Sequence, residues 1–252
     1  MAEILVTGGT GALGRRLAPV LIERGHGVRL LARHPERGTQ GAETVRGDVL
    51  TGEGLPPALA GIDVVIHAAT SSRRRIRETE VEGTRNVVDA IGSSGTHLIY
   101  VSIVGIDRHR LPYYRAKLEA ERVISASRVP WTIQRATQFH DLLEMLLGYP
   151  VFVSTANMSF QPVDPGEVSV RLAELAEAAP AGRAPDFGGP EIRGIKDLAR
   201  ARRQITSRNA RLIPMPRVGP LADFDRGLQL APEHRDGRIT WEEWLRASPH
   251  KR

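Results

Sequence analysis

Cysteine is absent from the 252 residues. Disulfides, thiolate nucleophiles, iron–sulfur clusters and cysteine zinc sites are excluded with it. The eight histidines show no HExxH or other ligand spacing, so no metal is expected. Long apolar runs are missing too. The longest charge-free stretch, Met145 to Val163, is interrupted by Gly148, Pro150, Asn157 and Gln161, which excludes a membrane span. The N-terminus runs straight into Glu3 and a short apolar run, without the pattern of a signal peptide, so a cytoplasmic chain is expected. Lysine is scarce: 3 of the 35 basic residues, the rest being arginine.

What is present suits a folded protein. Hydrophobic residues make up 41% and charged residues 25%, enough for a core and ordinary for a globular chain. The length fits one domain, or one with a small appended lobe. The net charge is +6. The basic residues are dispersed apart from Arg73-Arg74-Arg75-x-Arg77 and Arg200-x-Arg202-Arg203, and no aromatics interleave with them. Nucleic acid is therefore not an expected partner; a small molecule is.

The first 135 residues alternate strand-like and helix-like stretches. Ile4-Leu5-Val6, Val28 to Leu31, Thr44 to Arg46, Val64-Val65-Ile66, Leu98 to Val101 and Trp131-Thr132-Ile133 read as strands. Gly11 to Arg24, the segment of Thr84, Val87, Val88 and Ile91, and that of Ala116, Ala120, Val123 and Ile124 have helical spacing. The order predicts an α/β fold, a doubly wound parallel sheet with helices on both faces. Residues 1–136 form the expected core, and 137–252 mainly a proline-broken substrate lobe, some of whose elements return to the core. In that lobe Glu167 to Glu177 and Gly194 to Ile205 read as helices. Thr240-Trp241-Glu242-Glu243 fits a capping box before a last helix that buries Trp241, Trp244 and Leu245.

Thr7-Gly8-Gly9-Thr10-Gly11-Ala12-Leu13-Gly14 follows the first strand and opens the first helix. In that context the glycines at 8, 11 and 14 point to a dinucleotide phosphate loop. Gly8 allows the tight turn, Gly11 lets a pyrophosphate approach, and Gly14 lets helix and strand pack closely. The helix N-terminus offers N–H groups and a positive dipole end to the phosphates. At the end of the second strand stands Arg33, where a carboxylate would favour NAD. A guanidinium can fork a 2′-phosphate, so NADP(H) is expected; Arg33 also reads as a solvated arginine. Asp48 and Val49 are placed to meet the adenine, or simply to form a loop.

Ser102 ends the fifth strand; Tyr113 and Lys117 follow, four residues apart on one helix face. An ammonium beside a phenol favours the phenolate and lowers the tyrosine pKa, easing proton donation to a developing alkoxide or enolate. Ser102 can hydrogen-bond the same oxygen, and Lys117 can hold the nicotinamide ribose. Tyr114, at i+3 from Lys117, is the rival acid.

These stretches, with Gly47-Asp48-Val49, His67-Ala68-Ala69-Thr70, Val81-Glu82-Gly83-Thr84-Arg85-Asn86, Tyr100 to Ile106, Trp131 to His140 and Gly188-Gly189-Pro190-Glu191, resemble the short-chain dehydrogenase/reductase superfamily, closest to its atypical NmrA-like branch. The resemblance implies a Rossmann fold with a small C-terminal substrate lobe. It places Gly8, Thr10, Gly11, Ala12, Leu13 and Gly14 at the diphosphate and Arg33 at the 2′-phosphate. Ala68, Ala69 and Thr70 then border the ribose or nicotinamide passage. Ser102, Tyr113 and Lys117 fall on the catalytic positions, and Gln138, Phe139 and His140 where the substrate pocket begins. Ala136 departs from the usual proline, and the interval from Ser102 to Tyr113 is short for the family. The branch implies an NADPH-dependent reductase of a quinone-like or polycyclic aromatic carbonyl. It also contains NADP(H)-sensing regulators without turnover, and the wider superfamily holds isomerases and epimerases.

Overall fold

A computed structural model describes residues 1–70 and 75–248; Arg73 and Arg74 of the basic run lie outside the described residues. The chain divides into two compact units. The first comprises residues 1–102, 112–134 and 169–185, the second 103–111, 135–168 and 186–252.

The first unit is built on a seven-stranded sheet. Its strands are β1 (Glu3–Thr7), β2 (Gly27–Ala32), β3 (Glu43–Arg46), β4 (Val64–His67), β5 (His97–Ile103), β6 (Trp131–Ala136) and β9 (Gly182–Arg183), in the order β3-β2-β1-β4-β5-β6-β9. β1 pairs in parallel with both β2 and β4, β4 with β5, and β6 with β9. The strands Ile4-Leu5-Val6 and Leu98-Ile99-Tyr100 are apolar without alternation and fully buried, as a parallel sheet covered on both faces requires. The intervening helices are α1 (Gly14–Glu23), α2 (Leu55–Leu59), α3 (Gly83–Ile91) and α4 (Pro112–Ser125). Leu55, Val87, Ile91, Ala120 and Ile124 from these helices join Leu5, Val65 and Leu98 of the sheet in one core cluster. The strand order reverses at β1, so the ends of β1 and β4 flank the crevice where ligands of such sheets bind.

The sheet and its six expected strands agree with the sequence reading. Four features do not. Helix α1 starts at Gly14, not Gly11, because Gly8 takes a left-handed φ of 70° and the Gly11 N–H closes a turn on the Gly8 carbonyl. The two-residue β9 and the five-residue α2 are too short to show a period. A wide π turn, Glu78–Glu82, precedes α3.

The second unit contains α5 (His140–Leu147), α7 (Ile195–Thr206), α8 (Gly219–Asp225) and α9 (Trp241–Ala247), with two small sheets. β8 (Ser159–Phe160) pairs antiparallel with β10 (Arg193–Gly194), and β7 (Phe152–Ser154) parallel with β11 (Leu212–Pro214). Leu143, Phe160, Leu198, Trp241 and Leu245 lie in its core. The capping box is formed: the Thr240 hydroxyl accepts the Glu243 N–H, and the Glu243 carboxylate accepts the Thr240 N–H. The two indoles of α9 stack 5.5 Å apart, and Trp241 Nε1 donates to the Leu198 carbonyl at 3.1 Å. Helix α6 (Pro165–Ala176) spans the expected segment from Glu167 as far as Ala176, one residue short of Glu177, with the Asp164 carboxylate accepting the Gly166 and Glu167 N–H groups.

Candidate active site

Residues 8–13 run from β1 into α1 as a turn. A Cβ on Gly8 would stand 2.8 Å from the Ala69 backbone, and one on Gly14 only 2.5 Å from the Gly9 Cα. Side chains are thereby barred from both positions. A Cβ on Gly11 would meet only the Gly8 carbonyl, at 3.1 Å, and Gly11 and Ala12 are exposed. Helix α1 has neither a side-chain cap nor an acid in its first turn. Its positive end is thus left to an anion, and a dinucleotide diphosphate fits this cradle. Thr10 and Ala12 turn their carbonyls to the Arg15 and Arg16 side chains, at 2.8 Å each, and Leu13 is buried.

Three of the expected residues, Thr70, Tyr113 and Lys117, belong to a cluster around Glu80, which sequence reading missed. Glu80, in the π turn, is fully buried. One carboxylate oxygen receives the Lys117 ammonium at 3.1 Å and the Tyr100 hydroxyl at 3.2 Å; the other receives the Thr70 hydroxyl. Lys117 also donates to the Val101 carbonyl at 3.0 Å and lies 4.5 Å from the Tyr100 ring centre. Thr70 has one proton and gives it to Glu80. The hydrogen bond of 2.9 Å between Thr70 and Tyr113 therefore runs from the phenol to the Thr70 oxygen. Tyr113, Thr70, Glu80 and Lys117 form one network. Tyr114 is buried beside it, its ring centre 6.3 Å from that of Tyr113.

The electrostatics correct one expectation. Burial alone would lower the Lys117 ammonium; Glu80, helped by Tyr100 and Tyr113, outweighs it and holds the group above the lysine range. Tyr113 stands above the ordinary phenol value, not below it. Burial is the main cause; Lys117 opposes it, Glu80 adds to it, and the Thr70 hydrogen bond partly offsets it. Lys117 acts on Tyr113 in the direction the spacing required, but burial outweighs it, and an acid that the spacing did not reveal adds to burial.

A second chain of hydrogen bonds ties the end of β1 to the π turn. The Thr84 hydroxyl donates to the Glu80 carbonyl, so it accepts from His67 Nε2–H at 3.1 Å. His67 Nδ1 then accepts the Thr7 hydroxyl at 2.6 Å, and Thr7 accepts the Ala69 N–H at 3.4 Å. Each proton has one direction, which fixes the tautomer. Burial first and Lys117 second push the His67 pKa down to about 3, so it is a neutral linker.

The remaining sequence candidates are placed as follows. Ser102 is buried and donates to Glu121, at 2.5 Å, one turn along α4 from Lys117. Arg33 is exposed just beyond β2. An Asp48 carboxylate oxygen accepts the Leu50 N–H in a turn, and Val49 is buried against Gly83. Ala68 and Ala69 follow β4, Ala68 donating to the Thr7 carbonyl. In the second unit, Gln138 is buried, bonded to the Gln229 carbonyl and the Gln161 N–H. Phe139 caps α5, and His140 stacks on Trp244 at 5.4 Å. The structure thus gathers Tyr113, Lys117 and Thr70 around Glu80, attaches Ser102 to Glu121, and gives Gln138 and His140 packing partners in the second unit. Among the described residues no group of acids and histidines could hold a metal, and no helix is long and apolar enough to cross a membrane.

Comparison with known proteins gives the family. A family model described as NAD(P)H-binding matches residues 8–145. The chain is 32% identical over 202 residues to (4-alkanoyl-5-oxo-2,5-dihydrofuran-3-yl)methyl phosphate reductase of Streptomyces griseus, covering 75% of this chain and 68% of that protein. Photosystem II assembly factor Ycf39 is similar in two organisms. The Synechocystis protein is 27% identical over 249 residues (90% of this chain, 75% of that protein), and the Trieres chinensis protein 26% over 182 (66% and 57%). The fold of NADPH-dependent quinone oxidoreductase QOR2 from Escherichia coli, solved with NADPH, superposes with a TM-score of 0.77 at 18% identity, covering 96% of this chain and 98% of that one. The family match over more than half of the chain and the 32% identical reductase place the chain in the NAD(P)H-binding family, within the short-chain dehydrogenase/reductase superfamily of NAD(P)-dependent oxidoreductases.

Proposed function

We propose that the protein is an NADPH-dependent reductase of a carbonyl compound, quinone-like or polycyclic aromatic, with Tyr113 as proton donor. The observation that carries this reading is the Tyr113 phenol held by Thr70 in one network with the buried Lys117 ammonium. The relative from Streptomyces griseus, itself called a reductase, supports the reaction class. NADPH, when bound, supplies the hydride.

The chain's own residues do the rest. The glycine turn and the α1 N-terminus bind the diphosphate, and Arg33 meets the 2′-phosphate. Tyr113 donates its proton to the carbonyl oxygen as charge develops there. Lys117 supplies the positive charge beside the phenolate that remains, and the Thr70 hydroxyl turns to it. Ser102 orients the substrate oxygen once its hydroxyl leaves Glu121. Gln138, Phe139 and His140 belong to the substrate lobe in this reading.

The test is NADPH consumption with a panel of quinones, aromatic ketones and oxo esters, for the wild type and Tyr113→Phe. Turnover in the wild type is expected, falling on the order of 10²–10⁴-fold in the variant while NADPH still binds. Tight NADPH binding without turnover of any carbonyl overturns the reading. It would favour a dinucleotide-sensing protein that acts on partners, which the likeness to an assembly factor also motivates.

A further inference from the structure

A carboxylate ion-paired to the lysine of a tyrosine–lysine pair changes what that pair can do. An uncompensated ammonium beside a phenol stabilises the phenolate, and the phenol then serves as a base as readily as an acid. Here the ammonium faces a fully buried acid at 3.1 Å, and that acid is linked through Thr70 to the same phenol. We propose that Glu80 is a positioning residue that holds the Lys117 charge to itself and keeps Tyr113 protonated, so that the pair works as an acid at neutral pH and as a base only in alkali. Reduction then runs across the neutral range, while oxidation of the corresponding alcohol needs high pH. The inference rests on Tyr113 as the proton donor for its catalytic meaning, not for its electrostatics.

The geometry is specific. Glu80 is the inward member of an acidic run; Glu78 is exposed and Glu82 half-buried in the same π turn. Its two oxygens are spent on Lys117 and Tyr100 on one side and Thr70 on the other. Its backbone carbonyl is fixed by Thr84, which His67 holds in turn. The other titratable groups around the pair do not replace it. Tyr100, from β5, has its ionisation pushed up by burial, with Lys117 opposing. His67, from β4, is neutral. Glu121, from α4, is engaged with Ser102. Arg77 and Glu119 pair with each other at the surface, and Arg85 of α3 pairs with Glu82.

The experiment is a pH titration of tyrosine ultraviolet absorbance in the wild type and Glu80→Gln, with Tyr113→Phe to assign the group among four tyrosines. In the wild type Tyr113 should ionise above an ordinary tyrosine. In Glu80→Gln it should ionise lower by about one unit or more, and Glu80→Asp should restore part of the difference. An unmoved or raised Tyr113 titration in a folded Glu80→Gln overturns the proposal. A second measurement needs no folded variant of Glu80. The chain has three lysines, so a carbon-13 lysine label gives three signals, with Lys117 assigned by its loss in Lys117→Met. In the wild type Lys117 should stay charged beyond the pH at which the other two titrate; titration with them or below them overturns the proposal. Neither readout uses a substrate. Absent turnover therefore counts against the reductase alone. A Tyr113-dependent turnover whose pH profile ignores Glu80→Gln counts against this inference alone.

Discussion

The Thr7 hydroxyl and the His67 imidazole meet at 2.6 Å, on residues that stand opposite each other in β1 and β4. The contact requires a neutral imidazole, and burial makes it one. The unfolded chain takes up a proton near pH 6.5, whereas the folded protein resists until about 3. Between these values the unfolded state binds more protons, so stability falls as pH falls through this window, by up to about 1.4 kcal/mol per unit from this group. In His67→Gln the slope of melting temperature against pH over the window should flatten. An unchanged slope would assign the acid sensitivity to other groups.

Gly14 has no room for a methyl group, with the Gly9 Cα 2.5 Å from where its Cβ would be. Gly14→Ala should lose about 1–3 kcal/mol of stability and, because the turn must open, bind NADPH more weakly. Thermal unfolding and NADPH fluorescence titration measure the two effects. Unchanged binding would remove the turn from the cofactor site.

Arg33 lies exposed just beyond β2, and we propose that it meets the 2′-phosphate. Arg33→Ala should weaken NADPH binding on the order of tenfold and leave NADH binding unchanged. Equal effects on the two cofactors would make Arg33 a surface charge only.

Thr240 closes both bonds of its capping box at the start of α9. Thr240→Ala should cost about 1 kcal/mol. Tryptophan fluorescence follows this change, since Trp241 and Trp244 are buried in the same helix. A variant as stable as the wild type would show that packing alone fixes α9.

Periodicity made the doubly wound sheet legible because its strands are short apolar runs between helices of clear period. The glycine turn was legible because only glycine fits Gly8 and Gly14. Tyr113 and Lys117 were legible because four residues make one helical turn. Glu80 was not. In Glu78-Thr79-Glu80-Val81-Glu82 three acids fall within five residues, a run that reads as solvated charge with no sign that one member is buried. Its partners Lys117, Tyr100 and Thr70 are distant in the chain, and local spacing does not announce such contacts. The direction of the Tyr113 shift was missed because burial, its main cause, and Glu80, which adds to it, are both set by tertiary packing and not by the spacing of Tyr113 and Lys117. The second unit, broken by prolines, showed α7 and α9 but neither α5 nor α8, nor its two small sheets, whose strands of two and three residues carry no period.

The wide turn at Glu78–Glu82 makes chain length, and not only residue identity, a determinant of acidity. A π turn holds one residue more than the α-helical turn it replaces. Deleting one residue just after Glu80 would let the coil wind regularly into α3 and swing the carboxylate by about 100° around the axis. Every side chain of the network would still be encoded, and Lys117 would face Tyr113 without its counter-ion. On the proposal for Glu80, that deletion should move the Tyr113 titration as Glu80→Gln does.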